Sequence, residues 1–311
     1  MNAALHLVAD RHSAPAVAFA ARPPRWHLLL SAASSAHAAL ALQTVMRAHE
    51  VSLAGLQGYT DPASGWHHCR GVIDDGLASL SIPDLRRRLA PLAAQAPLRV
   101  HIGAAHELRR VVVLVSKADH CLRELLQRRH DGELAIDIAC VISNHDDLGP
   151  LALAHGVPFH CVPMAGPDAG GSGRTSAFER VFELFEQYRG DVMVLARFMQ
   201  ILPPDFCARA AGRILNVHHS LLPAFSGARA YHQAWQQGVK WIGATCHYVT
   251  AELDQGPIID QDARRIDHAH SVDDLVRAGR DLERRVLVAG LRAHVEDRVV
   301  VSGQRTVIFD R

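Results

Sequence analysis

The sequence predicts an α/β fold in two parts, a small α+β unit followed by a larger unit built on a mostly parallel sheet. Three observations carry that expectation. The chain has 311 residues, more than one domain usually holds. From Arg109 onward, strands that are almost continuously Val, Ile and Leu alternate with helical segments, the pattern of a sheet buried on both faces. Before that, residues 25–104 read strand, helix, strand, strand, helix, strand.

Residues 1–24 contain Ala and Arg with little acid; Asp10 and the lack of a sustained amphipathic pattern favour a disordered tail over a targeting segment. RWHLLLSAA (25–33) is apolar and extended, and AHAALALQTVMRAHE (36–50) has helical spacing with strong helix formers. VSLAGLQGYT and GWHHCRGVID form two strands around the turn Asp61-Pro62-Ala63-Ser64. IPDLRRRLAPLAAQ is a helix with Pro83 placed to start it and Pro91 expected to end or kink it. LRVHIG closes the unit.

The second unit follows as RRVVVLVS, helix HCLRELLQRRH, strand IDIACVIS, helix LGPLALAHG and strand PFHCVP. Gly166 to Gly173 is a glycine-rich loop expected to be mobile, followed by helix SAFERVFELFEQYRG and strand DVMVLAR. A long helix (SVDDLVRAGRDLERRVLVAGLRAHVED) and a hairpin (VVVSG–QRTVIF) end the chain.

Composition narrows the function. Basic and acidic residues number 33 and 32, a net charge of +1, so the chain has no general attraction for nucleic acid or anionic membranes. No run approaches the roughly 18 apolar residues of a membrane span. Six cysteines at irregular spacing, several in apolar runs, suit reduced thiols and a cytoplasmic location. There are 21 histidines, including the pairs His67-His68 and His218-His219, but no H-E-x-x-H or His/Cys quartet, so no metal is expected.

The chemistry concentrates in ILNVHHSLLPAFSGARAYHQA and TCHYVTAELDQGPIIDQD. Asn216 and His218 are alternate residues at the end of an apolar strand, and alternate strand residues share a side. Asp254 follows a second apolar strand, in a loop whose Gly256 permits a backbone path other residues resist. Amide, imidazole and carboxylate together suit acyl transfer: two donors for a developing oxyanion and a group to handle a proton. Each alone also has an ordinary reading. Asn216 could cap a turn, His218 could be structural, and Asp254 could simply begin a turn.

These segments, with VVVLVSKADHCLRELL, CVISNHDDLGPLA, VLARFMQILPPDF, GVKWIGATCHYV and AGRDLERRVL, resemble the formyltransferase domain of folate-dependent hydrolases and transferases. The likeness is greatest to 10-formyltetrahydrofolate deformylases and covers roughly residues 109 to 308. It implies a Rossmann-like catalytic domain over 109–311, with water attacking the N10-formyl group to release formate and tetrahydrofolate. By resemblance Asn216, His218 and Asp254 are catalytic, and His247 and Ser220 support them. Phe198, Met199, Gln200, Ile201 and Leu202 line the pterin pocket through backbone groups, and Ala251, Glu252 and Leu253 close over it. Folate is then the substrate, and no cofactor is implied. Arg229, His232 and Lys117 are fainter candidates, Arg229 for the folate glutamate or a neighbouring subunit.

The order of elements over 25–104 resembles an ACT (ferredoxin-like) module. Such modules meet amino-acid effectors at an Asp-x-x-Gly type loop, whereas this chain has Ser31-Ala-Ala-Ser-Ser-Ala-His37, with neither glycine nor acid. A role in a homo-oligomer, dimer or tetramer, is expected instead, since exposed sheet edges pair. Two other readings compete with hydrolysis: an amine-acceptor formyltransferase of the glycinamide ribonucleotide type, and an inactive folate-binding or regulatory protein. The first needs a glycine-rich turn for a substrate phosphate. The equivalent turn here, Ser116-Lys117-Ala118-Asp119-His120, has no glycine and an acid that would repel one. The second has no need of Asp254.

Overall fold

A computed structural model of the chain describes residues 25–49, 53–74, 82–164, 170–225 and 229–310. The tail expected over 1–24 lies outside the described residues. The chain divides into two compact units, one of Met1–Leu108 with Ala293–Arg311 and the other of Arg109–Arg292.

In the first unit, β1 (Arg25–Ala32), β2 (Leu53–Thr60), β3 (His67–Asp74) and β4 (Leu98–Ala104) form an antiparallel sheet in the order β2-β3-β1-β4. Helices α1 (Ser35–His49) and α2 (Ile82–Gln95) complete it. Alternate strand residues Leu28, Leu30, Val100 and Ile102 pack with Ala41, Val45, Leu85 and Leu89 of the helices into one core. This is the expected small α+β unit. Pro91 does not end α2, which continues through it to Gln95. Leu85 and Leu89 are fully buried on that helix, and this burial outweighs the one backbone hydrogen bond a proline cannot make.

The expected boundary, with one catalytic domain over 109–311, differs at its far end. Residues 293–311, carrying the hairpin β12 (Val299–Ser302) and β13 (Arg305–Ile308), group with the first unit. Arg70 on β3 explains why: its Nε donates to the Asp297 carbonyl at 3.0 Å and its Nη2 to the Glu296 carbonyl at 3.2 Å. Asp61 accepts from Ser302 Oγ at 2.9 Å and from Arg305 Nη2 at 2.6 Å.

In the second unit, β5 (Arg109–Val115), β6 (Ile136–Ser143), β7 (Phe159–Cys161), β8 (Val192–Leu195) and β9 (Ile214–His218) pair in parallel. Antiparallel β10 (Trp241–Tyr248) and β11 (Ile258–Arg265) extend the sheet, giving the order β11-β10-β9-β8-β5-β6-β7. The helices are α3 (His120–His130), α4 (Gly149–Ala154), α5 (Gly170–Gln187), α6 (Pro204–Arg209), α7 (Ala230–Gln236) and α8 (Val272–Val295), whose last residues belong to the first unit. The glycine-rich stretch is helical from Gly170; residues 165–169 lie outside the described part. Val112, Leu114, Ile142 and Met193 of the strands pack with Phe178, Val181, Phe185 and Phe206. Strands buried on both faces leave their carboxyl ends as the place for polar chemistry. Among the described residues no helix is long and apolar enough to cross a membrane.

Candidate active site

Strand pairing builds the site. The antiparallel register sets His247 of β10 opposite Asn216 of β9, and Thr245 opposite His218. Opposed residues share a face at close range, and Asn216 Nδ2 lies 3.1 Å from His247 Nε2. The other nitrogen of His247, Nδ1, donates to the Tyr248 carbonyl at 2.8 Å. Burial holds this imidazole below its usual range, so it stays neutral and Nε2 is an acceptor. Asn216 therefore turns its NH2 toward His247, which fixes the amide's orientation and leaves its second N–H for another partner.

Asp254 arrives on the loop after β10. That loop passes so close to Tyr248 that a Cβ on Gly256 would lie 1.8 Å from the Tyr248 carbonyl oxygen. Glycine is thus required for close approach. The left-handed φ of the segment falls on Asp254 itself, at 55°. This places Asp254 Oδ1 3.3 Å from His218 Nδ1 and 3.9 Å from His247 Nε2. His218 Nε2 donates to the Phe225 carbonyl at 3.2 Å. Both nitrogens of His218 thus face oxygen atoms.

The cavity these residues line holds about 250 Å³. Phe198, Met199, Gln200, Ile201 and Leu202 form one wall, and Ala251, Glu252 and Leu253 another. Arg197 and Met199 have φ of 67° and 59°, a backbone path that turns the segment after β8 over the strand ends. Met199, Ile201 and Leu253 are more than half exposed at the mouth, an apolar rim suited to a flat heterocycle.

The candidates outside this cavity are equally definite. Ser220 does not line it; its hydroxyl donates to the Ala224 carbonyl at 2.6 Å and its carbonyl accepts from Thr245 Oγ1 at 2.7 Å, so it holds the loop after β9. Lys117, Arg229 and His232 are exposed and line no part of it. Asp119, at the N-cap position of α3, makes no capping side-chain bond and pairs instead with Arg123, which holds its carboxyl below the usual range.

Sequence reasoning passed over Arg197, His219, Val249 and Thr250, which also line the cavity. It also passed over a buried cluster around Glu283. That carboxylate, 1% exposed, accepts from His120 Nε2 at 2.8 Å and from the Tyr231 hydroxyl at 2.9 Å. A Cβ on Gly279 would lie 2.0 Å from Tyr231 Cζ, so the glycine one turn before Glu283 seats that ring. Two signals were available: an acid on the apolar stripe Leu275, Leu282, Val286 of α8, and an arginine at the end of the apolar strand VMVLAR. His219, whose ring centroid is 5.0 Å from that of His218, is pushed down to about 4, first by burial and then by the Arg197 and His218 charges.

His120, Cys121 and Glu283 place a ligand atom each within 4.8 Å of one another. Their chemistry suits a hydrogen-bonded cluster better than a cation. Burial pushes the Cys121 thiol well up, away from the thiolate that metals prefer, and the Arg197 cation stands 3.5 Å from the carboxylate.

Residues 109–291 match the family model described as formyl transferase. A formyltetrahydrofolate deformylase of Synechocystis sp. is 45% identical over 230 residues, 74% of this chain and 79% of that protein. The crystal structure of a formyltetrahydrofolate deformylase from Pseudomonas syringae pv. tomato aligns with a TM-score of 0.86 at 40% identity, covering 94% of this chain and 96% of that one. The crystal structure of glycinamide ribonucleotide transformylase 1 from Symbiobacterium toebii aligns with a TM-score of 0.61 at 35% identity, covering 65% of this chain and 95% of that one.

Proposed function

The chain belongs to the formyl transferase family and, within it, to the formyltetrahydrofolate deformylases, and we propose that it hydrolyses 10-formyltetrahydrofolate by the residues gathered around Asp254. The observation that carries this assignment of roles is the convergence of Asn216, His218 and Asp254 on one cavity with an apolar rim. Asp254 takes a proton from water as the water oxygen adds to the formyl carbon. The developing oxyanion receives the second N–H of Asn216 and is stabilised by His218, protonated or donating, beside it. The C–N10 bond then breaks, N10 takes up a proton from the His218–Asp254 pair, and formate and tetrahydrofolate leave. His247 is a positioning residue, since it holds the Asn216 amide in the donating orientation.

No cofactor or metal enters these steps. Water is favoured as the acceptor because the turn after β5 carries the Asp119 carboxylate where an amine-acceptor enzyme would cradle a substrate phosphate. Five buried free cysteines support a reducing compartment such as the cytoplasm, and the exposed edge strand β2 supports a homo-oligomer.

The test is purified protein incubated with 10-formyltetrahydrofolate and no amine. Formate released at a catalytic rate is expected. Formyl transfer only when glycinamide ribonucleotide is added would move the chain to the transferases, and no turnover would mark it as a binding protein.

A further inference from the structure

Among the described residues, Arg197 is the one cation lining the cavity that the roles above leave unused. It lies two residues past the end of β8, its side chain is 19% exposed, and its Nε and Nη1 are buried without a hydrogen-bond partner. The nearest carboxylate oxygen, Glu283 Oε2, stands 3.5 Å from Nε, but that oxygen already accepts from His120, and Oε1 accepts from Tyr231. Glu283 thus anchors the guanidinium by charge and leaves donors unanswered. Those two nitrogens are closed off from solvent, so an acceptor in the cavity meets the exposed remainder of the side chain.

Its place in the cleft restricts which acceptor that is. Tyr231 lies edge-on to His219 at 5.7 Å, and His219 lies beside His218. Arg197 lines the same cavity as His218 and His219, and the exposed apolar residues Met199, Ile201 and Leu253 stand at its mouth. The reaction proposed above turns a neutral formamide into a carboxylate in that cavity. A guanidinium fork matches a carboxylate in shape and charge. We infer that Arg197 forms a carboxylate subsite in the catalytic cleft, which takes the formate as it leaves N10. This inference rests on the deformylase reading. The fixed Glu283 charge has a role here too: it tempers the cation, so that formate is received and then released.

Formate itself is the probe, added to the full chain. Its binding is read from the broadening of the formate proton line in NMR and from product inhibition of turnover, with chloride at equal ionic strength as control. In the native protein formate should broaden and inhibit, and nitrate, a planar anion, should displace it. Arg197→Met should raise the formate inhibition constant at least about tenfold, the loss of one charge-assisted hydrogen bond. Arg197→Lys should recover part of it. Formate that behaves like chloride with native protein that still turns over would overturn this inference and leave the deformylase reading standing, and this arm needs no variant to fold. Unchanged formate inhibition in Arg197→Met would overturn it as well. So would a variant whose only defect is a raised KM for the glutamate-bearing substrate, absent with a pteroate analogue, since the cation would then serve the folate tail. Native protein that releases no formate at all would instead remove the deformylase reading.

Discussion

Two aspartates in this chain, each with a left-handed backbone, gather a pair of histidines in different surroundings. Asp254 (φ 55°) has His218 at 3.3 Å and His247 at 3.9 Å; Asp297 (φ 49°) has His101 at 3.0 Å and His27 at 3.4 Å. Both carboxylates are nearly buried. Asp297 lies just past the end of α8, where the helix dipole disfavours an anion. Two imidazoles offset that, and Arg70 takes the Asp297 carbonyl, so the group ties the end of the chain to its own sheet. Asp254 stands on a loop folded tightly onto Tyr248, with one side toward a cavity walled by apolar residues. Residue types do not separate the two clusters. What separates them is whether the surrounding chain leaves a space at the carboxylate.

Exchanging the lesion between the clusters is the strongest way to break that comparison. Asp254→Asn should fold normally and lower kcat by about two to four decades, as expected for a group that handles a proton in the transition state. Asn216→Ala should lower kcat by about two to three decades, the usual loss for one oxyanion donor, with a smaller change in KM. Steady-state kinetics of formate release reads both. Near-normal turnover in Asp254→Asn would place the two aspartates in the same structural class.

Legibility in the sequence followed the same division. Asn216 and His218 could be read because strand periodicity puts alternate residues of β9 on one face, and Asp254 because it stands just before Gly256 in the loop after β10. The partnership of Arg197 with Glu283 could not, because it joins a strand end to the middle of a distant helix through packing alone. Ser220 sits in the same segment, and its hydroxyl turns back onto the loop, a contact that only packing reveals. The unit boundary was hidden for a physical reason as well. Helix α8 is continuous across it, and long-range contacts such as those of Arg70 and Asp61 show where the hairpin belongs. The glycine after Asp254 was legible as a necessity, although its role is close approach rather than an unusual φ.

Buried histidines add a pH dependence that sharpens the contrast. His219 is pushed down to about 4, and burial also lowers His247 and His68. The folded protein therefore resists protons that the unfolded chain accepts, so stability is full above the unfolded imidazole range and declines as pH falls. For His219 the loss accumulates between about pH 6.5 and about pH 4 and amounts to about 3 kcal/mol. Urea unfolding across this range should show the slope, and His219→Asn should flatten it by roughly one proton. A slope unchanged in that variant would assign the dependence to other histidines.

The smallest effect belongs to the structural cluster. Asp297→Asn keeps the shape of the side chain and one acceptor oxygen, so one histidine can still be satisfied and the other loses its acceptor. Removing such a partner from a mostly buried group costs about 1–3 kcal/mol, less whatever is regained when an anion no longer opposes the end of α8. The expected outcome is a lower urea midpoint with formate release unchanged at saturating substrate. Should Asp297→Asn slow turnover as Asp254→Asn does while remaining folded, then the space beside a carboxylate is not what distinguishes the two clusters, and the catalytic assignment of Asp254 loses the contrast on which it stands.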